Sequence, residues 1–151
     1  MTPVKVHPRR LARESVIKAL YALELSGDPH EKVLADLFVR DIVDDSTRRY
    51  ITELFKNAVK YKDWCDGLVT KYLVNWNIDR VALLDRIILQ MAISEIYFIT
   101  DVPPKVSISE AIEIAKQYST EESSGFVNGI LDAIYKAKLE ADKPAPAKTD
   151  N

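Results

Sequence analysis

Glycine and cysteine are scarce in this chain, and each scarcity argues against a class of protein. Only 4 of the 151 residues are glycine, which disfavours a β-rich fold with many tight turns and favours long uninterrupted helices. Cys65 is the single cysteine, so no disulfide can form within the chain, as suits a reducing compartment. The hydrophobic content of 47% is sufficient for the buried core of one domain.

Residues that carry metal or nucleophilic chemistry are also few. The two histidines, His7 and His30, have no cysteine or carboxylate partner at metal-ligand spacing, and Cys65 stands in no nucleophile motif. Gly125 and Gly129 follow no strand, so they do not form a phosphate-binding loop. No apolar run has the length of a membrane span, and the polar N-terminus lacks a secretory signal. These absences predict a cytoplasmic protein that is not an enzyme and uses no metal or cofactor.

Positive charge is concentrated near the N-terminus. The formal net charge of the whole chain is −2, so the molecule is not a general binder of polyanions. The first 25 residues nevertheless contain five basic residues against two acidic ones. The basic residues are Lys5, Arg9, Arg10, Arg13 and Lys18, and the acidic ones are Glu14 and Glu24. A nucleic-acid site must therefore be local, and this stretch is the candidate.

Apolar residues recur at helical spacing in seven segments, which predicts an all-α fold. The predicted helices cover residues 9–25, 31–39, about 47–62, 64–72 and 80–99, a sixth begins at 107, and a last one lies between a polar break at 119–124 and residue 140. Residues 1–140 are then one helical domain. The proline-, alanine- and lysine-rich residues 141–151 are predicted to be a flexible tail.

Four sequence signals mark where helices end or begin. Gly27 is placed for a left-handed cap after the first helix, and the cluster of Asp44, Asp45 and Ser46 offers an N-cap for the third. Asp79 is expected to cap the fifth helix. The sequence Ser107–Glu110, with serine first and glutamate three residues later, fits a capping box for the sixth.

The fifth helix is the most apolar segment, and we expect it to be the central buried helix. Glu95 lies at the margin of its apolar stripe. A catalytic glutamate in a pocket would occupy such a position, and so would a structural glutamate paired with an arginine. Because the sequence offers no second catalytic group, the structural interpretation is preferred, with Arg13 as a candidate partner.

Two short segments are candidates for contact with RNA. Arg9, Arg10 and Arg13 are either an ordinary basic helix start or an anion-binding cluster; basic residues oppose the dipole at a helix N-terminus, and a bound phosphate would explain them. Phe126 is either a core residue or a platform for a single-stranded base. Asn128 beside it is a poor helix former, which indicates a packing or contact role.

Several motifs of the chain resemble the NusB family. They are Arg9–Glu14 (RRLARE), Ala19–Tyr21 (ALY), Ala92–Ile96 (AISEI), Val102–Pro103, Val106–Lys116 (VSISEAIEIAK) and Phe126–Asp132 (FVNGILD). The resemblance covers roughly residues 9–138 and is weakest over 31–77. Leu11 departs from it, because that position is often basic in the family.

The resemblance implies about seven helices in two small packed bundles and a role in transcription antitermination. NusB-type proteins pair with NusE, a small-subunit ribosomal protein, and bind single-stranded boxA RNA of nascent transcripts, notably ribosomal RNA. Other Nus factors and RNA polymerase then join the complex. By position, Arg9, Arg10 and Arg13 would contact RNA, with Phe126 and Asn128 beside them in space. Tyr21, Asp85 and Glu122 match positions on the surface that meets NusE or modulates the assembly.

Two alternatives to an antitermination factor stay open at this point. NusB-like domains also occur fused to RNA cytosine methyltransferases, where they help to hold RNA, although this chain contains no βαβ unit for a cofactor. A protein-interaction module without RNA contact is the other alternative, since the basic patch is small. The sequence is compatible with a monomer or with a homodimer.

Overall fold

The computed structural model describes residues 8–74 and 77–143. Within these ranges the chain forms seven α-helices and no strand, which confirms the all-α prediction. The helices are α1 (Pro8–Ser26), α2 (His30–Arg40), α3 (Asp45–Lys60), α4 (Lys62–Thr70), α5 (Leu83–Phe98), α6 (Pro104–Tyr118) and α7 (Glu121–Asp142). A short 3-10 turn, Ile78–Arg80, precedes α5. The predicted flexible tail lies outside the described residues, apart from its first three.

Helix α5 occupies the centre of the molecule. Eleven of its 16 residues are buried, because it is apolar around most of its circumference and five other helices pack on it. On one side α1 and α3 pack against α5, and α2 covers α1 and α3. On the other side α6 and α7 pack against each other and against α5, together with α4. The two groups of helices share α5, an arrangement compatible with two small bundles.

Two of the predicted helix ends are confirmed. Gly27 has a φ of +67°, and its N–H donates to the carbonyl of Leu23 at 3.1 Å. The left-handed conformation favours glycine at this position. The Asp44 carboxylate accepts a hydrogen bond from the N–H of Thr47 at 2.7 Å at the start of α3.

The predicted caps of α5 and α6 are wrong. Asn77 caps the 3-10 turn by accepting from the N–H of Asp79 at 3.2 Å, and α5 begins after Ala82 without a side-chain cap in the described part of the chain. Helix α6 begins at Pro104, where proline suits the first helical position. Ser107 is therefore inside α6, and its hydroxyl is directed into the core.

The last helix begins earlier and ends later than predicted. Thr120 caps it by accepting from the N–H of Ser123 at 3.1 Å. Phe126 and Asn128 consequently lie in the second turn of α7 and not in its first. The helix continues to Asp142, two residues beyond the predicted domain limit.

Neither a membrane span nor a metal cluster is found in the described ranges. None of the helices there is both long and apolar enough to cross a bilayer. No three histidine, cysteine or acidic side chains within 8–74 and 77–143 come together as metal ligands.

Candidate nucleic-acid interface

Arg10 lies near the start of α1 and makes a two-point ion pair across to α6. Its Nε donates to Glu110 Oε2 at 2.7 Å, and its Nη2 donates to Glu110 Oε1 at 3.1 Å. This hydrogen bond and the negative charge of Glu110 raise the pKa of Arg10 above its ordinary value. A guanidinium held in this way has a defined orientation, and it also already has an anionic partner.

Arg9 is held by two groups from other elements. Its Nη2 donates to Asp101 Oδ2 at 3.1 Å, and its guanidinium carbon lies 4.5 Å from the centre of the Tyr50 ring. Asp101 follows the C-terminus of α5, so the start of α1 meets the α5–α6 connection. A cavity of about 230 Å³ lies here, between Arg9, Pro103, Val106 and Glu110.

Arg13, a candidate both for RNA contact and for pairing with Glu95, lies in the core. Only 3% of the residue is exposed, and its Nε donates to both carboxylate oxygens of Glu95, at 3.0 and 3.1 Å. The Tyr50 hydroxyl also donates to Glu95, as does the Ser107 hydroxyl at 2.7 Å. Four helices thus meet at one satisfied carboxylate, which supports the structural interpretation of Glu95. The burial of Arg13 argues against its direct contact with RNA.

A second cavity lies at the other end of α5. Phe126, Glu122 and Asp85 line it together with Thr120 and Ser123, and its volume is about 190 Å³. Three residues singled out in the sequence are therefore brought together. Phe126 is half-buried, whereas Asn128 is exposed and does not line this cavity.

Asp85 is buried with only part of its hydrogen-bonding capacity used. It is 6% exposed, and its Oδ2 accepts from the Ser123 hydroxyl at 3.0 Å. Its other oxygen, Oδ1, is buried and accepts no hydrogen bond from the described residues. Burial raises the pKa of Asp85 above its ordinary value, because removal from water disfavours the charged form.

We expect Asp85→Asn to change how stability depends on pH. The folded chain holds the Asp85 proton more tightly than the unfolded chain, so the aspartate destabilises the fold increasingly as pH rises above the ordinary pKa of 3.8. We therefore expect the free energy of unfolding of Asp85→Asn, relative to that of the wild type, to increase between pH 4 and pH 7. Denaturant unfolding of both proteins measures it. Asp132→Asn, at a half-exposed side chain that pairs with Lys136, is the control, and parallel pH profiles for wild type and Asp85→Asn would contradict the expectation.

A third cavity is an apolar groove. It has a volume of about 560 Å³ and lies between α1, the start of α5 and the end of α6. Tyr21, 41% exposed, and Tyr118, 43% exposed, are among its walls. Glu14, one turn after Arg10, borders one side, and Leu84, next to Asp85, borders the other. No sequence signal pointed to Tyr118 or Leu84.

The sequence led us to expect Arg9 and Phe126 side by side, but the structure separates them. Arg9 contacts Asp101 beyond the C-terminus of α5, whereas Phe126 shares a cavity with Asp85 in the first turn of α5. Sixteen helical residues rise about 24 Å, so the two sites are separated by most of the length of α5. The groove borders α1 at Glu14, one turn after Arg10, and α5 at Leu84, next to Asp85; we call the two cavities and the groove together the track.

Gly129, beside Asn128, is not required by close packing against the described residues. A Cβ added to Gly129 would meet nothing within 4 Å, and the same holds for Gly125. Packing within the described part of the chain therefore does not explain why glycine occurs in α7.

The fold and the track together define a class, an all-helical protein with candidate contact groups in three surface cavities. Residues 10–136 match the model of the NusB family. This chain belongs to the NusB family.

Individual relatives agree with this assignment. The chain is 46% identical over 127 residues to the transcription antitermination protein NusB of Salinibacter ruber, covering 83% of this chain and 79% of that protein. It is 41% identical over 128 residues to the protein of that name from Chloroherpeton thalassium, covering 84% of this chain and 61% of the other. A crystal structure of the antitermination factors NusB and NusE in complex with dsRNA matches with a TM-score of 0.79 and 27% identity, over 88% of this chain and 99% of the matched chain.

Proposed function

We propose that this protein is a transcription antitermination factor that binds single-stranded boxA RNA of nascent transcripts together with NusE. The relatives are antitermination proteins by name, and a structurally similar chain occurs in a complex with NusE and RNA. The observation that carries the proposal is the track itself. It comprises the cavity beside Arg9, the apolar groove with the exposed Tyr21 and Tyr118, and the cavity lined by the half-buried Phe126.

Each part of the track has a chemical role in this proposal. The guanidinium groups of Arg9 and Arg10 contact phosphates. Phe126 stacks on a base, and Asp85 lines the cavity that holds the edge of this base. A single strand suits the track better than a duplex, because its bases are splayed and can reach the cavity. Asn128, exposed two residues after Phe126 on α7, is a further polar contact.

NusE is proposed to complete the site. Two arginines give few phosphate contacts, so affinity of this chain alone should be modest and its salt dependence shallow. Tyr21 and Glu122 are exposed and are proposed to face NusE, whereas Asp85 acts through the cavity. The coupling is reciprocal, so RNA must tighten the protein pair by the factor by which NusE tightens RNA. Other Nus factors and RNA polymerase would then join this assembly.

The test is fluorescence anisotropy of a labelled boxA RNA with this protein, with and without NusE. Replacing Arg9 and Arg10 together by alanine should weaken binding about 10- to 30-fold at low salt, because two charge-assisted contacts are lost. The control, Lys32→Ala with Lys136→Ala, removes the same charge from exposed positions elsewhere. An undiminished affinity of the double arginine variant would remove α1 from the site, and equal affinity with and without NusE would contradict the cooperative model.

The same assay resolves the role of Phe126. Leucine keeps an apolar side chain in the cavity but cannot stack, whereas tyrosine can. If a base stacks on the ring, Phe126→Leu should bind RNA about 5- to 30-fold more weakly, and Phe126→Tyr should bind nearly as the wild type does. Equal binding by the leucine and tyrosine variants would show that the ring acts only as an apolar filler.

A further inference from the structure

Arg9 and Arg10, the two partly exposed arginines at the start of α1, each pair with a carboxylate from another part of the fold. Glu110 of α6 accepts two hydrogen bonds from Arg10 and is itself only 18% exposed, whereas the more open Asp101 accepts one from Arg9. These contacts join residues 92 and 100 positions apart in the sequence, so the fold, and not local helix chemistry, creates them. The proposed phosphate contacts are therefore occupied by internal anions before RNA arrives.

We infer that Glu110, and to a smaller extent Asp101, mask the arginines: their negative charges compete with RNA phosphates for the guanidinium groups and lower the affinity of this protein for any RNA. The inference rests on the proposed function. A guanidinium has five N–H donors, and Glu110 uses the Nε side of Arg10. A phosphate must either displace Glu110 or bind the remaining edge next to a negative charge. Each route lowers the free energy gained per phosphate.

The consequence concerns the sequence-independent part of binding. Phosphate contacts contribute equally for any RNA, whereas base contacts distinguish one RNA from another. Masking therefore lowers affinity for all single strands by the same factor and leaves their ratio unchanged. It keeps this protein from occupying unrelated RNA unless base contacts and the partner protein add their own contributions.

Glu110→Gln is the decisive variant, because glutamine keeps the shape and an acceptor oxygen for Arg10 while it removes the charge. Affinity should be measured for a boxA RNA and for an unrelated single strand of equal length, with NusE present, over a range of salt concentrations. We expect both RNAs to bind about two- to fivefold more tightly at low salt, with an unchanged affinity ratio. The salt dependence should become steeper by up to about 0.7 in logarithmic slope.

Two further variants separate masking from other effects. Glu113→Gln removes the same charge one turn along α6, where the glutamate forms an ion pair with Lys116 and acts on Arg10 only through its charge, and it should give a smaller gain. Asp101→Asn removes the charge that pairs with Arg9 at a more exposed position. It therefore tests the inference even if Glu110→Gln folds poorly. Asp101→Asn should tighten both RNAs by less than Glu110→Gln.

The outcomes distinguish the inference from the proposed function. If the wild type binds boxA RNA and Glu110→Gln binds it equally or more weakly while remaining folded, Glu110 positions Arg10 instead of masking it, and the inference is overturned. If Glu110→Gln gains no more than Glu113→Gln, the effect is general charge and the inference again fails. If the wild type binds neither RNA even with NusE, the proposed function itself fails.

Discussion

Replacing Glu95 by alanine is expected to lower the free energy of unfolding by about 3–5 kcal/mol. The substitution leaves the Arg13 guanidinium buried without its counter-ion, and it removes the acceptor of the Tyr50 and Ser107 hydroxyls. Urea unfolding followed by circular dichroism measures the change. The loss should be large because α1, α3, α5 and α6 all contribute to this one network.

Two companions to Glu95→Ala test whether the uncompensated charge is the cause. Replacing Glu95 by leucine and Arg13 by methionine together removes both charges, so it should recover much of the stability lost in Glu95→Ala. Arg13→Met alone should be strongly destabilising, because it leaves the carboxylate buried. A loss below about 1 kcal/mol for Glu95→Ala would show that water or rearrangement satisfies Arg13, and it would reopen the functional interpretation of Glu95.

Phe55→Ala is expected to cost about 3–5 kcal/mol of unfolding free energy. Phe55 lies on α3, is fully buried and is among the largest side chains of the core. Its removal leaves a cavity between helices that can close only in part. Thermal and urea unfolding should both report the loss.

Phe38→Ala provides the matched control for Phe55→Ala. Phe38 on α2 is only partly buried, and the Arg48 guanidinium lies 4.4 Å from its ring centre. Because water already reaches this ring, its truncation should cost clearly less than that of Phe55. Equal losses at both positions would mean that α3 does not form the tightly packed part of the core.

Because Arg13 stabilises the core, RNA binding by variants that lack it does not report on a direct RNA contact. A variant that lacks Arg13 loses the network around Glu95, so weaker RNA binding by that variant follows from partial unfolding alone. Arg9 and Arg10 are partly exposed and pair with Asp101 and Glu110, although Arg9 also contacts the Tyr50 ring of this network. Binding experiments on this family member should therefore rely on these two positions.

The sequence by itself determined the helical class, the central helix and two helix ends. These features depend on local chemistry: apolar residues at helical spacing, a glycine that tolerates positive φ at Gly27, and a carboxylate at Asp44 within reach of the next turn. The family motifs also followed directly from the order of residues. The pairing of Glu95 with an arginine was predicted as well, because a charge in an apolar stripe requires a partner.

Only the tertiary structure decided which charged groups face water and which face each other. Arg9 and Arg13 share a face of α1 at spacing i, i+4, yet packing leaves one near the surface and buries the other. Helical periodicity could not show that Glu110 pairs with Arg10, since that contact joins helices 100 residues apart in the sequence. The separation of Phe126 from the arginines likewise follows from the length and direction of α5. The physical reason is that spacing along a chain fixes the faces of each helix, whereas the packing of one helix on another fixes which faces meet.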